Sequence, residues 1–226
     1  NEDNEKFPAI QWGDKPKLGS HAILIGSPIG LDFSVSFGII SAIDRTILSA
    51  APPFVPYVQT DASMNRGNSG GPLFDASGKV IGINTLILSP SASNQEAGGS
   101  IGLGFAVDGQ YVQDILIRLA DGKKIQWSYM GIHYRLLDRT ETKSNNLEFG
   151  ENVIVMKVTD DGAAKDKLFE GDIIQRLDGE TVKHTTFATV IAQKLPGTII
   201  HLDVLRAGKM VDVDITLMQR PERIQR

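Results

Sequence analysis

Cysteine is absent from this chain of 226 residues. Disulfides, thiolate metal sites and a cysteine nucleophile are therefore excluded, while the redox compartment stays open. No apolar run approaches the roughly 18 residues that a membrane helix needs. The first residues, Asn1 to Lys6, lack the basic-then-apolar order of a signal peptide. The chain does not open on methionine, and a processed or truncated start is expected. No basic stripe interrupts a formal net charge of -4, so no nucleic-acid partner is expected. The four histidines, at 21, 133, 184 and 201, share no metal-ligand spacing; neither metal nor cofactor is expected. What is present, 41% hydrophobic and 22% charged residues, suits a soluble globular protein of one large or two ordinary domains.

Residues 1–19 are polar and carry Pro8, Gly13 and Pro16, which predicts a loop with one short strand around Phe7–Trp12. Ala22–Ile25 reads as a buried strand closed by the turn Gly26-Ser27-Pro28-Ile29-Gly30, and Ser34–Ile43 as another strand. Coarsely, 20–107 is all-β with closely spaced turns, the pattern of a barrel. Ser89–Ser100, dominated by Ser, Asn and Gly, reads as a mobile surface loop. A phosphate-cradling reading of the glycines at 98–104 has neither a lysine nor a βαβ unit to support it. Val112, Ile115, Leu116 and Leu119 recur at helical spacing before Asp121-Gly122, so a helix whose apolar stripe packs on the core is expected.

From about residue 127 the pattern changes to short strands at Val153–Val158, Ile173–Leu177, Ile199–Leu205 and Val211–Leu217. Asp178-Gly179 and Ala207-Gly208-Lys209 mark hairpin turns. A helix is expected over Thr185–Leu195, with Phe187, Val190, Ile191 and Leu195 on one face and Pro196-Gly197 ending it. The terminal Arg220–Arg226 reads as a solvated tail or linker.

The segment Gly67-Asn68-Ser69-Gly70-Gly71-Pro72-Leu73 carries the most chemistry. By itself it also suits a tight hairpin turn, for which Asn and Gly are common. A serine hydroxyl becomes a useful nucleophile when an imidazole takes its proton and a carboxylate orients that imidazole. Backbone amides in a tight turn can then meet the oxyanion. With Gln59-Thr60-Asp61-Ala62 before it and Val80-Ile81-Gly82-Ile83-Asn84-Thr85 after it, the turn resembles the nucleophile turn of the HtrA/Deg family of trypsin-fold serine proteases. Gly38-Ile39-Ile40-Ser41-Ala42 and Gly102-Leu103-Gly104-Phe105-Ala106 fit the same family. Glu170-Gly171-Asp172-Ile173-Ile174, Leu177-Asp178-Gly179, Pro196-Gly197-Thr198 and Leu205–Lys209, in that order, are similar to bacterial PDZ domains.

The resemblance implies a mainly β protein: the second barrel of a trypsin-like protease over 1–120, then a PDZ peptide-binding domain over 127–220. The first barrel, with the triad His and Asp, is expected upstream of Asn1. Ser69 would be the nucleophile. Gly67 and Asn68 would shape the oxyanion hole, with the amides of Gly67 and Ser69 as its donors. Ser63, Asn84, Thr85 and Leu86 would line the substrate cleft, and the uncharged surroundings of Ser63 and Met64 suggest small or medium apolar residues at the cleavage position. His21, at a strand entrance, is not the triad base, and Asp61, on the wall near the specificity pocket, is not the triad carboxylate. In the PDZ domain, Tyr129, Met130, Gly131 and Ile132 would form the carboxylate-binding loop. Phe187 and Ile191 are pocket candidates equally readable as core. The implied activity is a periplasmic or otherwise extracytoplasmic endopeptidase of protein quality control. It would act on unfolded or misfolded polypeptides, bind peptide C-termini and assemble as a trimer or multiples of it. The alternative is a non-catalytic peptide-binding fragment, or a pseudoprotease or chaperone in which the serine turn is a relic.

Overall fold

The computed structural model describes residues 9–28, 33–47, 54–88, 99–122 and 124–221. Phe7-Pro8, the end of the turn at Ile29-Gly30, most of the Ser89–Ser100 loop and the tail from residue 222 lie outside them. The chain divides into two compact units, Asn1–Lys123 and Lys124–Arg226.

The first unit is built from β1 (His21–Gly26), β2 (Ser34–Arg45), β3 (Tyr57–Thr60), β4 (Pro72–Phe74), β5 (Val80–Ile87) and β6 (Gly104–Asp108). They close into a barrel of order β1-β2-β3-β6-β5-β4. Alternation along β1 turns Ala22 and Leu24 inward, where they meet Ile40, Val58, Met64, Leu73, Ile81 and Ala106. Burying a side chain such as Leu24 or Leu73 contributes about 1.5–3 kcal/mol. Val35, Phe37 and Ile39 on β2 remain exposed. The short strand expected near Trp12 reduces, among the described residues, to one bridge between Trp12 and Val80.

Helix α1 (Gly109–Ala120) follows β6 directly. The Asp108 carboxylate caps it, accepting from the amides of Gln110 and Tyr111 at 3.0 and 3.1 Å. Its apolar stripe is not core packing as the spacing predicts. Leu116 and Leu119 are 47% and 53% exposed, and the buried helix residues are Gly109 and Tyr111. Spacing marks which residues share a face, and here the second half of that face has nothing from the first unit's core over it.

The second unit contains β7 (Ser128–Tyr129), β8 (Ile132–Leu136), α2 (Arg139–Ser144), β9 (Val153–Val158), β10 (Ile173–Leu177), β11 (Glu180–Thr181), α3 (Phe187–Gln193), β12 (Ile199–Arg206), β13 (Lys209–Thr216) and β14 (Met218–Gln219). The main sheet runs β13-β12-β10-β9-β8, with β11 paired to β10, and β14 pairs with β7. β12 and β13 are joined at Ala207-Gly208, both left-handed at φ 48° and 77°, the geometry of the primed hairpin turns that suit twisted strands. The core gathers Val153, Val155, Leu168, Ile174, Ile200 and Ile215 under α3. Within the expected helical stripe, Phe187 and Ile191 reach that core, while Val190 and Leu195 stay exposed. At α2, Asp138 and Glu141 form a reciprocal capping box. The fork of Arg135 grips Glu141 at 2.6 and 2.7 Å and holds its carboxyl down to about 2.

Candidate active site and peptide-binding edge

The serine turn hangs between β4 and the segment that follows β3. Left-handed backbone at Gly67 (φ 99°) and Gly70 (φ 87°) bends the chain sharply on either side of Asn68-Ser69. Two hydrogen bonds tie it to β5: Gly70 N–H donates to Asn84 O at 2.8 Å, and Asn84 N–H donates to Gly71 O at 2.9 Å. A Cβ at Gly71 would stand 2.2 Å from Ile25 O, and one at Gly26 would stand 2.5 Å from Asn68 Oδ1. Glycine on both sides of this contact lets the turn lie flat against the end of β1.

Ser69 is exposed on the turn, and its hydroxyl donates to Thr85 O at 2.8 Å. Among the described residues, no acceptor engages the amide of Gly67 or of Ser69. Two uncommitted donors beside an exposed hydroxyl are the parts an oxyanion hole requires. Asn68 differs: its side chain is buried, and its own N–H donates to Asn65 O at 3.1 Å. Its N–H is thus committed within the turn.

The segment leading into the turn is pinned on two sides. Ser36 Oγ donates to Ser63 O at 2.8 Å, and Ser100 N–H donates to Asn65 Oδ1 at 3.0 Å. Asp61 Oδ1 accepts from Ile39 N–H at 2.7 Å, which leaves it a bracing carboxylate. A Cβ at Gly38 would fall 2.3 Å from that oxygen, so the glycine of the Gly38–Ala42 motif makes room for the brace. Ser63 is exposed, and Thr85 and Leu86 are half-buried on β5. Asn84, expected at the cleft, and Met64, beside the expected pocket, both lie inside the barrel. Asn84 is 1% exposed, and its Nδ2 donates to Ile25 O and Pro72 O, each at 3.2 Å; it clamps β1, β4 and the serine turn together. Met64 is in the core cluster. His21 packs its ring 5.2 Å from that of Phe37.

In the second unit, β8 is an edge of the main sheet. Tyr129 of β7 pairs with Met218 of β14, Met130 is buried, and Ile132 opens β8. The carbonyls of Met130 and Gly131 accept from Ala164 and Thr159 at 2.9 and 2.8 Å. No acceptor engages the Met130 and Gly131 amides among the described residues. A Cβ at Gly131 would stand 2.3 Å from Gly162 Cα, so this turn requires glycine. Phe187 and Ile191 belong to the hydrophobic core of the unit, and the Phe187 ring meets Tyr134 of β8 edge-on at 5.0 Å. Burial among these rings raises the Tyr134 hydroxyl above its ordinary pKa and lowers that of the His184 imidazole. Among the described residues, no group of three or more His, Asp or Glu side chains could hold a metal ion, and no helix is long and apolar enough to cross a membrane.

Residues 1–83 match the family model of a trypsin-like peptidase domain, and residues 128–217 that of a PDZ domain. A "Probable periplasmic serine endoprotease DegP-like" of Halomonas elongata is 35% identical over 97% of this chain, which covers 46% of that protein. The "Periplasmic pH-dependent serine endoprotease DegQ" of Escherichia coli is 37% identical over 92% of the chain and is covered to 45%. The chain thus spans about half the length of these curated relatives. Among solved structures, the HtrA-type protease AlgW with a tripeptide superposes with a TM-score of 0.81 at 32% identity, over 98% of this chain and 72% of that one.

Proposed function

From its membership of the HtrA-type protease family, we propose that this chain supplies the nucleophile-bearing barrel, over 1–120, and a PDZ domain, over 127–220, of a periplasmic serine endopeptidase of protein quality control. Ser69 attacks the scissile carbonyl, and the amides of Gly67 and Ser69 receive the oxyanion. The proton is taken by a histidine, oriented by an aspartate, both supplied from outside residues 1–226. The observation that carries the reading is an exposed Ser69 hydroxyl beside two uncommitted amides on a turn clamped by Asn84. The outward apolar face of Val35, Phe37 and Ile39 supports a further barrel packed on this one.

The cleft beside Ser63, Thr85 and Leu86 takes small or medium apolar residues of unfolded polypeptides. The PDZ domain adds a peptide C-terminus as a strand beside β8. The Met130 and Gly131 amides hold its carboxylate, and the ring of Phe187, with Ile191 behind it, forms the floor of the side-chain pocket. The enzyme assembles as a trimer or a multiple of it. Full-length protein should degrade an unfolded substrate such as reduced, alkylated albumin, and Ser69→Ala should reduce the rate on the order of 10⁶-fold. Equal rates for the two proteins would reject the reading.

A further inference from the structure

Beyond the end of β8 the second unit carries a depression of about 570 Å³ lined by Arg139, Thr142, Lys143, Asn146, Leu147 and Phe149. Its charge is of one sign. Arg139 and Lys143 stand four residues apart on α2, on one helical face, and no carboxylate lines the depression. Of the nearby acids, Asp138 caps α2 and Glu141 is gripped by Arg135, while Glu148, between Leu147 and Phe149, is exposed and outside the lining. Neither Arg139 nor Lys143 has an ion-pair partner among the described residues. The site also has an apolar side, with the Arg139 guanidinium 5.2 Å above the Phe149 ring and that ring 56% exposed.

The position of this depression relative to β8 suggests what fills it. A carboxylate held at Met130-Gly131 lies at the start of β8, so a peptide bound there runs back along the strand toward Leu136. Each residue advances about 3.3 Å, and the five residues of β8 are matched by the last five or so of the peptide. Arg139 begins α2 three residues after Leu136. We infer that this depression is a second subsite for the same peptides, reading acidic and aromatic residues about five to seven positions before the C-terminus. The inference rests on the peptide-binding reading above. Carboxylates there would pair with Arg139 and Lys143, and an aromatic ring would stack beside Phe149.

The test uses the full-length Ser69→Ala protein and fluorescent peptides sharing one apolar C-terminal tetrapeptide. One is the tetrapeptide itself. The others extend it by six residues that are Asp/Glu/Phe-rich, Ser/Gly-rich or Lys-rich. The acidic extension should bind roughly three- to tenfold tighter than the Ser/Gly extension, and the lysine extension more weakly than either. Arg139→Gln with Lys143→Gln should erase that difference while leaving the tetrapeptide affinity unchanged, which also reports that the domain is folded. Three extensions of equal affinity would overturn the subsite while the peptide edge stands. A tetrapeptide that fails to bind, beside a circular-dichroism spectrum of folded protein, would overturn the peptide edge and the subsite with it. A double variant that loses binding to phosphatidylglycerol vesicles but discriminates the peptides as before would assign the depression to lipid and overturn the proposal.

Discussion

The Ser69 hydroxyl points at the carbonyl of Thr85, 2.8 Å away across the gap between the serine turn and β5. That bond occupies the proton a general base would take, so in the proposed reaction the hydroxyl rotates off Thr85 before attack. Because Ser69 is exposed, the bond competes with water and adds little to stability. Ser69→Ala should therefore change unfolding free energy by under about 1 kcal/mol while removing activity. Denaturant titration of both forms measures the first part and substrate hydrolysis the second.

The contact between Gly26 and Asn68 predicts a substitution that acts through shape. A Cβ at Gly26 would stand 2.8 Å from Asn68 Cα, against backbone that cannot swing aside like a flexible side chain. Gly26→Ala should displace the serine turn and cost about 1–3 kcal/mol. Its loss of kcat should exceed its loss of substrate affinity. A fully active Gly26→Ala protein would contradict the placement of the turn on β1.

Asn84 offers a polar counterpart. Its side chain donates to two carbonyls of different strands, Ile25 and Pro72. Asn84→Leu would take a donor from both carbonyls, at about 0.5–1.5 kcal/mol each. Thermal unfolding should show a clear drop in Tm. A variant as stable as the parent would mean that the clamp carries no weight.

The Asp172–Arg206 pair should dominate the second unit's charge energetics. Arg206 Nε and Nη2 each donate to the Asp172 carboxylate at 2.8 Å, and Nη2 also reaches Lys167 O at 2.8 Å. The Asp172 side chain is only 2% exposed and that of Arg206 is 31% exposed. Removing the arginine leaves the buried carboxylate without its cation and with the Phe169 N–H at 2.8 Å as its remaining donor among the described residues. The loss is about 3–5 kcal/mol. Arg206→Lys keeps the charge but not the fork, so its loss should fall between those of the parent and Arg206→Ala. Urea unfolding of the three proteins gives that order or refutes it.

Acid should weaken the second unit through His184. Burial beside Tyr134 lowers its pKa in the folded protein below the ordinary 6.5. As pH falls through that ordinary value, the unfolded chain takes up the proton first. The contribution is thus fully present above pH 6.5 and is lost on acidification toward the folded value. His184→Gln should flatten the dependence of Tm on pH between 7 and 5. An unchanged slope would exclude His184 as its source.

The barrel strands, the sheet of the second unit and the serine turn are legible in the sequence because alternation, turn dipeptides and glycine spacing are local signals. The errors share one cause, since a local pattern does not say what covers a face. Leu116 and Leu119 follow the helical period yet face outward. The family resemblance puts Asn84 on the cleft wall, and its side chain points inward. A signal for that was available: Asn84 lies two residues from Gly82 on β5 and so shares its face, and a Cβ at Gly82 would meet Val107 O at 2.9 Å. The role of Thr85 could not be read at all, because its backbone carbonyl, and not its side chain, meets Ser69.

The central claim is that Ser69 is an activated nucleophile in the full-length protein. An intact mass spectrum before and after exposure to a fluorophosphonate probe tests it most directly. The account predicts a single adduct that maps to Ser69 and disappears in Ser69→Ala. No adduct on folded full-length protein, or one on another residue, would contradict it.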